Sequence, residues 1–314
     1  MTPTSTSTLF LLLLLPVLLH ALTATNTAAF IRLHTTGALH GFHRCGHRRY
    51  LAAGTSGGGG KAKTPPSKKE EKGKEEPTWG RVQVLETKPA AEGLYHVSID
   101  AGDLLASYST PGQYVQLKPH APGANPSFMA IASPPPGASG NGRAEFLIKK
   151  TEGTAWLCEA RAGEEVDMTP AMGRGYQVQN FDQEGIKHVL LLAAGTGIAP
   201  IRAAIESDVL GLDKMSRYSR LYFGVRSPAY LPYTEKFPEW EARGVKIIPC
   251  FSRTPVPMNS PGYWGYVQQG LAGDEIRSPE KTAALLCGMK DMTNLSSHVL
   301  KEKGVSPERI LFNF

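Results

Sequence analysis

The apolar residues of this chain change their period near residue 186, and that change limits the fold more than any other feature. Between residues 79 and 185 the apolar segments are short. RVQVLETK (81–88) and LYHVSIDA (94–101) alternate, while TPGQYVQLKP (110–119), FMAIASPPPG (128–137) and AEFLIKKTEG (144–153) each end in a Gly or Pro turn. Such spacing predicts an antiparallel barrel. From residue 186 the apolar runs become continuous: HVLLLAA (188–194), RLYFGV (220–225), VKIIPC (245–250) and AALLC (283–287). Helical stretches separate most of them: PIRAAIESDVL (200–210), a shorter TEKFPEWEAR (234–243), and DMTNLSSHVLKEKG (291–304), with ERILFNF (308–314) as the expected closing strand. Uninterrupted apolar strands alternating with helices predict an α/β domain with a parallel sheet covered on both faces.

The chain ahead of these patterns has a different character. Residues 9–22, LFLLLLLPVLLHAL, are an apolar run broken by Pro16, short for a membrane span of about 20 residues. Small residues follow up to Phe30, which reads as a signal-peptide core and cleavage site over residues 1–29, although no Lys or Arg precedes the core. Residues 30–53 are basic, rich in small residues and free of acids, the composition of a transit segment. A signal followed by a transit segment opening on Phe30 resembles the bipartite leaders of plastids bounded by extra membranes. Residues 54–77 are Gly-rich, then Lys/Glu-rich with Pro, and are expected to be a disordered linker. The folded part is expected as a barrel domain over 78–185 and a nucleotide-binding domain over 186–314, with no transmembrane span in the mature protein.

Charge follows the same division. Eight of the 34 basic residues lie before residue 70, where no acid occurs, so the remaining 26 face 28 acids. The basic balance belongs to the leader and does not point to a nucleic-acid partner. Cys45, Cys158, Cys250 and Cys287 are scattered without a C-x-x-C pair, which argues against an iron–sulfur cluster, a zinc site or a disulfide scaffold.

Chemistry enters at Gly195-Thr196-Gly197-Ile198-Ala199-Pro200, directly after HVLLLAA and opening a helix with Ile201, Ile205 and Val209 on one face. Two glycines allow a tight turn and close approach of a phosphate to the backbone. Pro200 sits in the first helical turn, where its missing N–H costs nothing. The free N–H groups and the helix dipole then favour a pyrophosphate.

GTGIAP, then LYFGVRSP, then CGMKDM, then a chain-terminal aromatic, in that order and spacing, is similar to the ferredoxin–NADP reductase superfamily over about residues 79–314, with the plant "fruit protein" branch as the nearest likeness. The resemblance implies an N-terminal FAD-binding barrel, a C-terminal NAD(P)-binding domain, and cofactors that meet in the cleft. It assigns Ser252, Arg253 and Tyr266 to the adenosine end, with Arg253 paired to a 2′-phosphate, Ser252 donating a hydroxyl and Tyr266 stacked on adenine. NADPH is favoured over NADH, although the usual Lys before the Tyr is Trp264 here. It places Cys287, followed by Gly288 and Met289, beside the nicotinamide, with Met289 in place of the usual Pro.

On the flavin side the chain departs from the family. Where Arg-x-Tyr-Ser/Thr is usual, this chain has Ser127-Phe128-Met129-Ala130, then Ile131. The pyrophosphate-holding Arg becomes Ser127, the flavin-packing Tyr becomes Met129, and the Ser facing flavin N5 becomes Ala130. Main-chain groups, Phe128 and Met129 remain to hold the ring. Gly153-Thr154, before the helical TAWLCEARAG, resembles the family's second pyrophosphate site, and Phe314 is expected to cover the other flavin face. The resulting expectation is an FAD-dependent oxidoreductase moving a hydride between NAD(P)H and FAD and passing electrons to an unidentified acceptor. The alternatives are a catalytically weak flavin- or nucleotide-binding scaffold on the same fold, and a cytochrome b5 reductase type of enzyme with a haem partner.

Overall fold

The computed structural model describes residues 77–137, 142–212, 217–255 and 262–313. The signal, transit and linker expectations up to residue 76, and Phe314, lie outside the described residues.

Six antiparallel strands form the first sheet: β1 (Gly80–Ala91), β2 (Leu94–Asp100), β3 (Tyr114–Pro119), β4 (Ser127–Ala130), β5 (Arg143–Lys149) and β6 (Glu165–Met168), in the order β4-β3-β6-β1-β2-β5. Alternation sends Val84, Val97, Ile99, Val115, Leu117 and Phe146 inward, each fully buried in one apolar cluster. Just past β4, Ala132 N–H donates to Glu145 O of β5 at 2.7 Å, which brings the two edges of the sheet together as a barrel requires. β6 was not legible because Glu165 and Asp167 flank its two core residues, Val166 and Met168. The expected helix in TAWLCEARAG is a single turn, α1 (Ala155–Cys158).

The second sheet is wholly parallel: β7 (His188–Ala194), β8 (Tyr218–Val225), β9 (Val245–Phe251), β10 (Tyr263–Trp264), β11 (Thr282–Cys287) and β12 (Ile310–Phe312), in the order β10-β9-β8-β7-β11-β12. Its strands read as apolar runs because both faces are covered. Leu191 of β7 packs with α2 (Ile198–Glu206) and α3 (Phe237–Ala242) on one face, whereas Leu190 and Leu192 pack with α4 (Val267–Gly273) and α5 (Lys290–Glu302) on the other. α2 stops earlier than its apolar pattern predicts. Ser207 Oγ donates to Ala204 O at 3.0 Å and its backbone is extended, so Val209 falls in a 3-10 turn at the surface.

Two features of this architecture position a site. The chain runs from β7 outward through β8, β9 and β10, then returns to β11 on the other side of β7. The strand order therefore reverses between β7 and β11, where open parallel sheets form their ligand crevice. The barrel also abuts this region: Leu94, Ala132 and Leu147 share a core cluster with Ile198 and Ala199 of α2, and β5 packs against the turn ahead of α2.

Candidate nucleotide and flavin site

The Gly195–Gly197 turn leaves β7 and runs straight into α2. Gly195 has φ +55°, the left-handed region that a residue with a β-carbon enters only at a cost of about 1–2 kcal/mol, and nothing lies within 4 Å of where a β-carbon would sit. Gly197 has ordinary helical angles but no space. A β-carbon there would collide with Cys287 O and lie 2.6 Å from Cys287 C and 2.9 Å from Gly288 N. One glycine is required by conformation and the other by contact, and the second contact draws the ends of β7 and β11 together at the switch point.

Cys287 ends β11 with 8% of its surface exposed, and burial pushes its thiol up to about 12. It is a neutral S–H at physiological pH, a small polarisable group rather than a nucleophile. Beneath it Tyr176 is fully buried, and burial with Cys287 nearby pushes its phenol well up. The Tyr176 hydroxyl donates to Leu286 O at 3.4 Å, and its N–H donates to Pro111 O of the barrel at 2.8 Å, so one residue braces both domains under the β11 end. Gly288 passes over β7, leaving 3.0 Å between its would-be β-carbon and Ala194 Cβ. Met289 follows at the start of α5, 69% exposed at the mouth of the crevice.

Along the same edge of the sheet, Ser252 and Arg253 follow β9. Ser252 N–H donates to Val225 O at 3.0 Å and Arg253 N–H to Arg226 O at 2.9 Å. The second bond sets Arg226, at the end of β8, beside Arg253, and both side chains are exposed. Arg226 lies inside LYFGVRSP, and only the adjacency of β8 and β9 sets it beside Arg253. Tyr266, at the N-cap of α4, is exposed, and its N–H is held by Gln269 Oε1 at 2.9 Å. Trp264 stands exposed two residues before it. Thr196 is half-buried, whereas the side chains of Ile198, Ala199 and Pro200 are buried and shape the turn from below. Ile198 N–H already bonds back to the Gly195 and Thr196 carbonyls.

Residues 191–298 match the family described as oxidoreductase NAD-binding domain. The chain is 37% identical, over 245 residues, to the fruit protein pKIWI502 of Actinidia deliciosa, covering 74% of this chain and 76% of that one. The chain belongs to the ferredoxin–NADP reductase superfamily. It is also 30% identical over 241 residues to the sulfhydrogenase 1 subunit gamma of Pyrococcus furiosus, covering 73% of this chain and 77% of the relative. Among solved structures it superposes on an Amycolatopsis cytochrome P450 reductase with a TM-score of 0.63 at 24% identity, covering 77% and 71% of the two chains. A ferredoxin NADP+ reductase from Neisseria gonorrhoeae with bound FAD and NADP gives 0.60 at 17%, covering 76% and 98%. Like other members of this superfamily, the chain is an NAD(P)H-dependent oxidoreductase.

The residues expected on the flavin side, Ser127 to Ala130, form β4. This strand lies at the sheet edge, paired with β3 in the register Tyr114↔Ala130 and Val115↔Met129. Phe128 projects outward, 66% exposed, with the Tyr114 ring 5.7 Å away and tilted. Met129 turns inward and belongs to the barrel core, and Ile131 is fully buried with its N–H donated to Gln113 O at 3.2 Å. Ser127 and Ala130 are half-buried. Phe128 is therefore the apolar surface that β4 offers, and the expectation that Met129 packs on the flavin gives way to a place in the barrel core. Gly153 borders open space, but the N–H groups of Thr154 and Ala155 both donate to Thr151 O, at 3.1 and 2.8 Å, and so close their own turn.

Proposed function

We propose that this chain is an FAD-dependent reductase that takes a hydride from a nicotinamide nucleotide, with NADPH favoured, and passes electrons on to a separate acceptor. The observation that carries this reading is the reversal of strand order between β7 and β11, where the Gly195–Gly197 turn opens α2 and Gly197 packs directly on the Cys287 backbone. The residues fit both groups. FAD would lie against the outward face of β4, with Phe128 and main-chain groups against its ring, and the nicotinamide would enter over Gly288 beside Cys287. Bound FAD supplies the chemistry that side chains lack, accepting a hydride and releasing electrons one at a time. The chain's own part is to bind, align and exclude water. Burial raises the Cys287 thiol, so it would offer the nicotinamide a neutral S–H to pack against. Tyr176 holds the β11 end in place beneath that contact. Arg226 and Arg253, joined through their backbones at the far end and both exposed, would offer a 2′-phosphate two guanidinium groups for charge-assisted forks, with the Arg226 guanidinium resting 5.6 Å from the Tyr230 ring.

The same reading assigns residues 78–185 to the flavin barrel, residues 186–314 to the nucleotide domain, and residues 1–53 to a bipartite plastid leader. A fluorescent fusion tests the last assignment. Phe30→Ala should stall outside the plastid, and secretion of both wild type and variant would refute it. Turnover of NADPH with ferricyanide by FAD-loaded protein tests the enzymatic reading. Steady consumption supports a reductase, whereas flavin binding without turnover supports a scaffold.

A further inference from the structure

A buried ion cluster joins the two domains away from the nucleotide crevice. Arg202 lies in α2 with 6% of its surface exposed. Its Nε donates to both carboxylate oxygens of Glu206, one helical turn on, at 3.0 Å each, and its Nη2 donates to Glu145 Oε2 of β5 at 2.6 Å. Trp240 Nε1 holds Glu206 from the other side at 3.1 Å. The ring of Tyr233, which adopts the left-handed backbone region at φ +65°, lies 4.9 Å from the guanidinium. The cluster walls a cleft of about 490 Å³ between the barrel and the nucleotide domain.

Stability is a weak account of such a cluster, because removing two carboxylates and a guanidinium from water costs much of what their attraction returns. What a guanidinium bound by both carboxylates does supply is geometry, since its fork fixes direction as well as distance. One carboxylate belongs to the helix that opens directly from the Gly195–Gly197 turn, and the other to the strand that packs against that turn. Arg202 stands four residues into α2, about 6 Å along its axis from Ile198 at 1.5 Å per residue. The geometry points to Arg202 as a positioning residue: by tying α2 to β5 through Glu145, it fixes the dinucleotide turn against the barrel and thereby the approach of the nicotinamide to the flavin. This rests on the flavin–nucleotide reading above.

The test uses Glu145→Gln in the full chain, which keeps shape and removes charge, with Arg202→Lys as a second variant that keeps charge and loses the fork. Hydride transfer is steeply sensitive to alignment, so flavin reduction at saturating NADPH should fall about tenfold in Glu145→Gln and less in Arg202→Lys. Flavin content and the Kd for NADP+ should stay within about twofold of wild type, because neither variant touches those surfaces. Amide hydrogen exchange, read without flavin or nucleotide, should quicken over residues 198–206 in Glu145→Gln. Unchanged exchange overturns the proposal whatever the rate does, as does an unchanged rate in a flavin-loaded protein. A wild-type chain that takes up no FAD would overturn the reductase reading instead, and the exchange comparison would still decide the role of Arg202.

Discussion

Gly197 and Cys287, ninety residues apart in sequence, are in direct contact through their backbones, and no β-carbon fits between them. Gly197→Ala should therefore act unlike Gly195→Ala. At 197 the Cys287 peptide must move, an overpacking cost of about 1–3 kcal/mol, and nucleotide affinity should fall with it. At 195 the space is open and only the left-handed backbone resists, so the melting temperature should drop while nucleotide binding is largely retained. Thermal melts with and without NADP+ separate the two. Gly197→Ala melting and binding like wild type would contradict the steric role of the Gly197–Cys287 contact.

Cys287 should serve as a neutral packing group. With burial pushing its thiol up to about 12, iodoacetamide at pH 8 should label it slowly in the folded protein, and flavin reduction should show no inflection in the usual thiol range near 8.5. Cys287→Ser should keep FAD bound but slow its reduction in stopped flow. An alkaline inflection that disappears in Cys287→Ser would show a working thiolate.

The proposed role of the arginine pair is nucleotide choice. Arg253→Ala and Arg226→Ala should each weaken NADPH use by about 1.5–3 kcal/mol and leave NADH use nearly unchanged, as expected for charge-assisted contacts to a 2′-phosphate. Comparing kcat/KM for the two nucleotides reads this directly. Equal losses with both would place the pair outside the phosphate pocket.

Much of this was legible in the sequence. The change of apolar period marked both sheets, and GTGIAP marked the turn after β7. What was not legible depends on neighbours remote in sequence. The steric demand on Gly197 comes from Cys287, and the place of Arg226 comes from its strand neighbour Arg253. Met129 reads as a flavin-packing residue by its motif position, yet the antiparallel pairing of β4 with β3 turns it into the barrel core and leaves Phe128 outside. Val209 continues the apolar face of α2 on paper, but the bond from Ser207 to Ala204 ends the helix before it. Nothing in the sequence marks Arg202, because its partner Glu145 lies in the other domain.

Acid should weaken the domain junction through His96 before it reaches the carboxylates. His96 is buried in β2, and burial, followed by the fields of Arg202 and Lys88, lowers its pKa against the opposing pull of Glu145 and Glu86. A depressed histidine favours the fold fully above its ordinary value of about 6.5, and that contribution is lost as pH falls toward the folded value, by at most about 1.4 kcal/mol per pH unit. Glu145 responds lower: burial raises its pKa, but Arg202 outweighs this and holds it below the usual 4.5. Melting temperature should therefore decline between pH 7 and pH 5, and His96→Gln should flatten that decline. An unflattened slope would assign the acid response elsewhere.

The flavin decides the account. On the proposed reading Ser127 stands where the family has a charged partner of the pyrophosphate, which would cost about 1.5–3 kcal/mol or roughly 10- to 100-fold in affinity. The purified chain should emerge partly colourless, gain a flavin spectrum on addition of FAD, and lose it again when NADPH is added without oxygen. Ala130→Ser should quicken that bleaching if a hydroxyl at this edge position reaches the ring. The most direct measurement is the visible absorbance of the folded protein titrated with FAD and then, anaerobically, with NADPH. Saturable uptake followed by bleaching is the expected result, and a natively folded chain that takes up no FAD at any concentration would contradict it.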